Sequence, residues 1–266
     1  GEGGVNLADP EWLRALRDLC DQRGMLLLVD EVQTGVGRCG TWWGYQSVGS
    51  VECGAGSSEC GAGSSECGAG SSEHGTENAE GETESAEGGD ALLAATRSGA
   101  RSPAPSVVTP DIMTMAKQLG GGVAIGAMCA RPEVAEHLKP GTHASTFGGN
   151  PLAAAAGCAV FEIVRDENLL ANAQHMGAYL RRRLLELKQE TLLVAEVRGV
   201  GLMIGVDLTQ NGRALVAACL EKGLHVNCTH DTVLRIMPPL NITQEQLDEG
   251  LDILAEALRE WKPAGA

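Results

Sequence analysis

The 266-residue chain, with 43% hydrophobic residues, can bury a sizeable core in one large or two smaller domains. Its net charge of −15 argues against nucleic acid or an anionic membrane as a partner, and it shows neither a secretory leader nor an apolar run of the roughly 18 to 20 residues that span a membrane. We therefore expect a cytoplasmic protein whose nine cysteines are free thiols.

The first predicted elements are a helix and a strand. Asp9 and Pro10 favour the start of a helix, and Gly24 favours its end. The apolar run from Met25 to Val29 predicts a strand that is buried on both faces, as in a parallel sheet covered by helices. Asp30 would then lie at the carboxyl end of that strand, which is the edge where open α/β sheets bind ligands.

The composition changes abruptly between residues 49 and 106. The sequence Glu-Cys-Gly-Ala-Gly-Ser-Ser occurs three times from residue 52 onwards, and ten acidic residues without Lys or Arg lie from 52 to 90, so removing their charge from −15 leaves −5. Few large apolar side chains are present to offset the roughly 1 to 2 kcal/mol per residue that backbone ordering costs. We therefore expect a disordered surface insertion.

The same segment carries soft metal ligands at a regular spacing. Cys53, Cys60, Cys67 and His74 recur every seven residues. Structural zinc sites instead pair their ligands two to four residues apart, as a rough rule, because a turn must fix the geometry. We therefore predict that these four residues form no metal site. Repeat expansion without function is the alternative explanation of their regular spacing.

The part of the chain after residue 106 continues with strands and helices. Apolar runs predict strands near residues 111–117, 125–130, 194–198, 202–207, 225–227 and 233–237. Helical patterns predict helices over residues 152–163, 168–189 and 243–261. Asn150 and Pro151 favour the start of the first of these helices, and Thr243 with Gln246 favours a capping box at the last.

Three motifs resemble the class III aminotransferases and occur in the order of that family. They are the residues from Asp30 to Arg38, from Pro110 to Lys117 and from Ser145 to Ala153. Residues 199–205 and 234–240 are most similar to acetylornithine aminotransferases within the class. The resemblance covers residues 1–48 and 107–262, whereas family members have only a short link in place of the acidic segment.

The resemblance implies a fold and a reaction. The fold would be the α/β fold-type I of pyridoxal-phosphate (PLP) transferases, with residues 1–165 as the C-terminal part of a large domain with a mixed, mostly parallel sheet, and 166–266 as a small α+β domain. The chain would form a homodimer and move the ω-amino group of N-acetylornithine to 2-oxoglutarate in arginine biosynthesis. Ornithine, 4-aminobutyrate or succinyl-diaminopimelate as the amino donor, or an inactive remnant, are the alternatives.

PLP chemistry explains the expected cofactor contacts. Asp30 would keep the ring nitrogen protonated, which makes the ring a better electron acceptor, and Gln33 would bind the phenolic oxygen. Lys117 would carry the cofactor through an ε-amine whose pKa burial lowers. Thr146 would reach the phosphate of the neighbouring subunit's cofactor. A loop carboxylate or helix cap is the alternative for Asp30, and a solvated surface charge is the alternative for Lys117.

The resemblance also implies a substrate site. Arg235 would hold the α-carboxylate of glutamate through two parallel hydrogen bonds, and Glu2 would cover Arg235 in the other half-reaction. Ser145 is also assigned to the substrate. A structural salt bridge is the alternative for Arg235. The family's phosphate-binding glycines, ring-stacking aromatic residue and distal-carboxylate Arg lie upstream of the Glu2 motif, so we expect weak cofactor binding by this chain alone.

Overall fold

A computed structural model describes residues 1–48 and 108–261, so the predicted disorder and the cysteine and histidine repeat lie outside the described residues. The described helices are α1 (Pro10–Arg23), α2 (Pro132–Ala135), α3 (Pro151–Asp166), α4 (Leu169–Glu190), α5 (Arg213–Glu221) and α6 (Gln244–Glu260). The described strands are β1 (Leu28–Asp30), β2 (Ile112–Met115), β3 (Ala127–Ala130), β4 (Val194–Val200), β5 (Met203–Leu208), β6 (Asn227–Thr229) and β7 (Val233–Ile236).

The first sheet is mixed, as predicted, and has the strand order β1-β2-β3. β1 and β2 run parallel, with Leu28 opposite Ile112 and Asp30 opposite Thr114. β2 and β3 run antiparallel. A 3-10 turn, Lys117–Gly120, follows β2 almost directly. The parallel pair therefore sends Asp30 and the lysine turn to the same edge of the sheet.

The first strand differs from its prediction. It spans Leu28–Asp30, and the apolar side chains of Met25, Leu26 and Leu28 are 47%, 56% and 54% exposed. β1 lies at the edge of the sheet, and nothing within residues 1–48 and 108–261 covers the face that carries Leu28. The prediction of a strand buried on both faces is therefore wrong for the described residues.

The second sheet is antiparallel, has the order β4-β5-β7-β6, and packs one face against α4, α5 and α6. Its core contains fully buried side chains from both layers, which include Leu180, Leu184, Leu202, Ile204, Leu215, Leu234 and Leu254. Each such side chain contributes about 1.5 to 3 kcal/mol relative to exposure. α5 was not predicted from the sequence, although it buries Leu215 and Cys219.

Helix ends follow the local signals in the sequence. The Asp9 carboxylate accepts hydrogen bonds from two backbone N–H groups of α1, and Gly24 ends that helix with a left-handed φ of 62°. Asn150 caps α3 through the N–H of Ala153. Thr243 and Gln246 form the predicted capping box of α6. These predictions are confirmed.

A hydrogen-bonded contact joins the loop after β1 to the second sheet. The buried guanidinium of Arg38 donates from Nη1 to the carbonyl oxygens of Pro238 (2.5 Å) and Leu202 (3.2 Å). The N–H of Leu202 donates to the carbonyl of Arg38 at 3.0 Å. The loop after β1 is thus fixed against the β4–β5 turn and the residues after β7.

Among the residues described, no helix combines the length and hydropathy that a membrane span needs.

Candidate active site

Asp30 and Lys117 lie at one edge of the first sheet. Asp30 is the last residue of β1 and is opposite Thr114 in β2, and Lys117 follows three residues beyond Thr114. Because the two strands are parallel, their carboxyl ends meet at this edge. The Asp30 Oδ1 accepts the N–H of Val32 at 2.9 Å, and both Asp30 and Lys117 are exposed.

The exposure of Lys117 departs from the expectation that this side chain is buried. Lys117 begins the 3-10 turn at the sheet edge, and no element among the described residues covers it. Its backbone has a φ of 48°, in the left-handed region that a residue with a Cβ adopts at a cost. The lysine is thus held in a strained conformation directly after a strand, which is a feature that clusters at functional sites.

A buried carboxylate, Glu31, organises the loop next to Asp30. Glu31 is 1% exposed, and its oxygens accept hydrogen bonds from the Thr34 hydroxyl (2.5 Å) and from the N–H groups of Gly44 (2.7 Å) and Tyr45 (2.8 Å). Burial, and then the charge of Glu31, raise the pKa of the Cys39 thiol to about 12. Glu31 was not predicted from the sequence, because its two backbone partners lie 13 and 14 residues away.

Gln33 lies between the lysine turn and the end of β7. Its main-chain carbonyl accepts a hydrogen bond from Nε2 of Gln118, the residue after Lys117, at 3.1 Å. Its own side-chain Nε2 lies 4.0 Å from the Met237 sulfur, which is a weak contact. The structure therefore brings Gln33 next to the lysine turn, and Gln118 is a second site residue that the sequence analysis missed.

Arg235 and Glu2 are brought together. Arg235 Nη1 lies 3.6 Å from Glu2 Oε1, and the Arg235 side chain is 15% exposed whereas that of Glu2 is 86% exposed. The contact is an ion pair but exceeds hydrogen-bond length, and Nη1 is buried without a hydrogen-bond partner in the described residues. The Thr229 hydroxyl donates to the Glu2 carbonyl at 2.6 Å, which fixes the backbone of Glu2 beside β6.

Ser145 and Thr146 lie apart from these contacts, on an exposed loop that leads into α3. The Ser145 hydroxyl accepts the N–H of Gly148 at 2.9 Å, which is a local turn. No hydrogen bond within the described residues joins either side chain to Asp30 or Lys117. The structure leaves this loop open to a ligand or to a second chain.

Asp111 fixes the start of β2 against β1. It is 3% exposed, and it accepts the N–H of Leu27 (2.7 Å), Arg17 Nη1 (2.7 Å) and Arg131 Nη1 (2.8 Å). Burial opposes its ionisation, but these hydrogen bonds together hold the pKa of the carboxyl below its usual value. Because Leu27 immediately precedes β1, Asp111 locks the parallel pair that carries Asp30 and Lys117.

Comparison with known proteins identifies the family. The sequence profile of Aminotransferase class-III matches residues 1–52 and 97–258. The chain belongs to this family. The match leaves out residues 53–96.

Relatives of this chain include named enzymes. The chain is 38% identical to the acetylornithine aminotransferase of Caldanaerobacter subterraneus subsp. tengcongensis, over 98% of its own length and 51% of that protein. It is 37% identical to the acetylornithine aminotransferase of Methanosarcina acetivorans, over 97% and 49%. The chain thus spans about half the length of the curated relatives that it matches.

A solved structure supports the fold of this chain. The ornithine aminotransferase of Toxoplasma gondii, described with partial occupancy of PLP at its active site, matches with a TM-score of 0.72 and 28% identity, over 97% of this chain and 48% of that one. The predicted α/β fold of the PLP transferases, with part of a large domain, is therefore confirmed.

Proposed function

We propose that this class-III aminotransferase holds PLP on Lys117 and moves the ω-amino group of N-acetylornithine to 2-oxoglutarate, as a step of arginine biosynthesis in the cytoplasm. The observation that carries the proposal is the meeting of Asp30 and the strained Lys117 at the carboxyl edge of a parallel strand pair. The named acetylornithine aminotransferases among its relatives support the choice of amino donor. Residues 1–165 and 166–266 would be the large-domain part and the small domain.

The residues at this edge fit the chemistry of PLP. The cofactor has a basic ring nitrogen, an aldehyde and a phenolic oxygen, and these groups call for a carboxylate, an amine and a hydrogen-bond donor. Asp30, Lys117 and Gln33 provide the three groups within two neighbouring loops. The buried Arg235 Nη1, which has no hydrogen-bond partner among the described residues, further indicates a place for an anionic group.

Bound PLP supplies a ring that accepts electrons from the carbon that bears the amino group. The Asp30 carboxylate would accept a hydrogen bond from the ring N–H and hold that proton in place, because a nearby anion favours the charged ring. The Lys117 amine would bind the cofactor and, once the substrate amine has replaced it, take a proton from the substrate carbon and return it to the cofactor carbon. The Gln33 amide would donate to the phenolic oxygen.

Arg235 would select between the two amino donors. In the presence of glutamate, its guanidinium would bind the α-carboxylate through two parallel hydrogen bonds. With N-acetylornithine, the Glu2 carboxylate, 3.6 Å away, would neutralise the Arg235 guanidinium. The site could then accept the ω-amino end of this substrate, which an unpaired guanidinium would disfavour. Glu2 is 86% exposed, so it can move away without unpacking a core. Ser145 would contact the substrate from the open loop.

A homodimer would complete the site. Thr146 is exposed on the loop before α3, where its hydroxyl is available to a second copy of the chain. We propose that it binds the phosphate of the partner's cofactor. The exposed Phe147 next to it, at 81%, is the kind of apolar surface that an interface covers.

Cofactor attachment can be tested directly. The protein in which this chain occurs is incubated with PLP, reduced with borohydride and digested, and the modified lysine is identified by mass spectrometry. We expect pyridoxyl modification at Lys117, its loss in Lys117→Ala, and its retention in the matched surface variant Lys139→Ala. Modification spread evenly over the exposed lysines would contradict the assignment.

The amino donor requires a second assay. Glutamate formation from 2-oxoglutarate is measured with N-acetylornithine, ornithine, 4-aminobutyrate and succinyl-diaminopimelate, using the protein in which this chain occurs. We expect N-acetylornithine to react fastest. A preference for ornithine would favour the second candidate function, which the structural match to an ornithine aminotransferase supports. No turnover with any donor would indicate an inactive remnant.

A further inference from the structure

We propose that Gln118 is a positioning residue that sets the place of Gln33 relative to Lys117. The inference rests on the proposed function, because it concerns the contact that Gln33 would make with PLP. Gln118 follows Lys117 within the 3-10 turn, and its Nε2 donates to the main-chain carbonyl of Gln33 at 3.1 Å across 85 residues of sequence. Any movement of the lysine turn is therefore transmitted to the Gln33 peptide.

The amide of Gln118 is oriented by this one contact. Its Oε1 is buried and accepts no hydrogen bond in the part of the chain that the structure describes. A flipped amide would place Oε1 against the Gln33 carbonyl oxygen, so that two acceptors face each other. The donor must point at Gln33, although a buried unsatisfied oxygen is unfavourable. The Gln118 side chain is thus oriented so that its Nε2 donates to the Gln33 carbonyl.

The Gln33 side chain lacks an equally firm partner. Its Nε2 lies 4.0 Å from the Met237 sulfur, and sulfur is a weak acceptor. At the neighbouring strand ends, the Glu31 N–H donates to the Thr114 carbonyl at 2.8 Å, so the peptide before this loop is already fixed. Gln118 supplies a further fixed point at Gln33 itself. The backbone is therefore held, whereas the side-chain Nε2 makes only a weak contact with sulfur among the described residues.

The test compares Gln118→Met with Gln210→Met. Both replace a half-buried glutamine by an unbranched side chain of similar length. The Gln210 Nε2, which lies after β5, is buried and has no hydrogen-bond partner among the residues that the structure describes. Hydrogen exchange of the peptide covering residues 31–38 is measured first, without cofactor. We expect exchange about tenfold faster in Gln118→Met and unchanged in Gln210→Met, because one hydrogen bond is lost. Gln118→Glu, which also lacks the donor, serves if Gln118→Met does not fold.

The second measurement separates positioning from a general structural effect. PLP is added, and the pH midpoint of the visible absorbance is determined for wild type, Gln118→Met, Gln33→Met and the double variant. Gln118→Met should shift the midpoint, and it should add no shift once the Gln33 side chain is absent. Equal shifts in both backgrounds, or unchanged exchange over residues 31–38, would overturn the role of Gln118.

The two proposals fail in different ways. If the wild-type protein in which this chain occurs takes up no PLP at Lys117, the proposed function is overturned and, with it, the functional role of Gln118. Uptake of PLP at Lys117 with no effect of Gln118→Met overturns the positioning role alone. Uptake with a shift that depends on Gln33 supports both.

Discussion

Replacing Asp111 by Asn should destabilise the fold by about 3 to 5 kcal/mol, the range for breaking a buried charged pair. The carboxylate accepts three hydrogen bonds, from the Leu27 N–H and from Arg17 and Arg131. The Arg17 side chain is 15% exposed, so its contact and that of Leu27 contribute about 1.5 to 3 kcal/mol each. Arg131 is half-exposed and adds little. Asn keeps one acceptor oxygen but turns an NH2 group towards a donor.

The pH dependence of this loss has a definite sign. Although burial opposes ionisation, the hydrogen bonds hold the pKa of Asp111 below its ordinary value of 3.8. The group therefore stabilises the folded chain fully above about pH 4, and this contribution disappears as the pH falls through the lower folded-state pKa. The difference between wild type and Asp111→Asn should be largest at neutral pH and should narrow on acidification.

Urea unfolding followed by tryptophan fluorescence at pH 7 and at pH 3 measures both effects. Asp166→Asn is the control, because the Asp166 carboxylate is 60% exposed and, within residues 1–48 and 108–261, pairs only with the adjacent Arg165. We expect this control to leave the unfolding midpoint nearly unchanged. A loss below about 1 kcal/mol at pH 7, or a difference that does not narrow at pH 3, would refute the buried-acceptor argument.

Three further predictions follow from single contacts. Gly201→Ala should lower the urea midpoint far more than Gly24→Ala, although both glycines have left-handed φ values, 53° and 62°. A Cβ on Gly201 would lie 2.5 Å from the Cys39 carbonyl carbon, whereas one on Gly24 would contact nothing within 4 Å. Equal losses of stability would contradict the close packing at Gly201. At pH 8, iodoacetamide should label the exposed Cys129 and spare Cys39, because burial raises the pKa of the Cys39 thiol to about 12. Mass spectrometry would show which cysteine is labelled, and early labelling of Cys39 would argue against its burial. Glu2→Gln should raise the KM for N-acetylornithine more than that for glutamate, and equal changes would exclude the proposed switch.

The helices α1, α3 and α6 could be predicted from the sequence because their signals are local. Asp9, Asn150 and Thr243 each cap the helix that directly follows them, so no distant residue decides the outcome. The burial of β1 depends instead on the layers around it, which the apolar run from Met25 to Val29 does not specify. The helix α5 is short, spanning Arg213–Glu221, and its pattern of buried residues is too brief to stand out.

The site was predictable only in part for the same reason. The order of the motifs indicated that Asp30 and Lys117 follow two strands, and parallel pairing then brings their ends together. Glu31, Asp111 and Gln118 were missed because their partners lie between 3 and 94 residues away and include backbone groups. A buried polar side chain becomes recognisable only when the fold shows which groups it satisfies.

The loop after β1 connects the proposed cofactor site to the proposed site of the substrate carboxylate. Asp30 begins it, Gln33 lies within it, and Arg38 near its end donates to the carbonyls of Leu202 and Pro238. Pro238 lies three residues after Arg235 in sequence, so the segment that would hold the cofactor ring also anchors the segment that would hold the substrate carboxylate. A shift of this loop would therefore move ring and carboxylate contacts together. Transamination needs the two at a fixed separation, because small misplacements of reacting groups slow a reaction strongly.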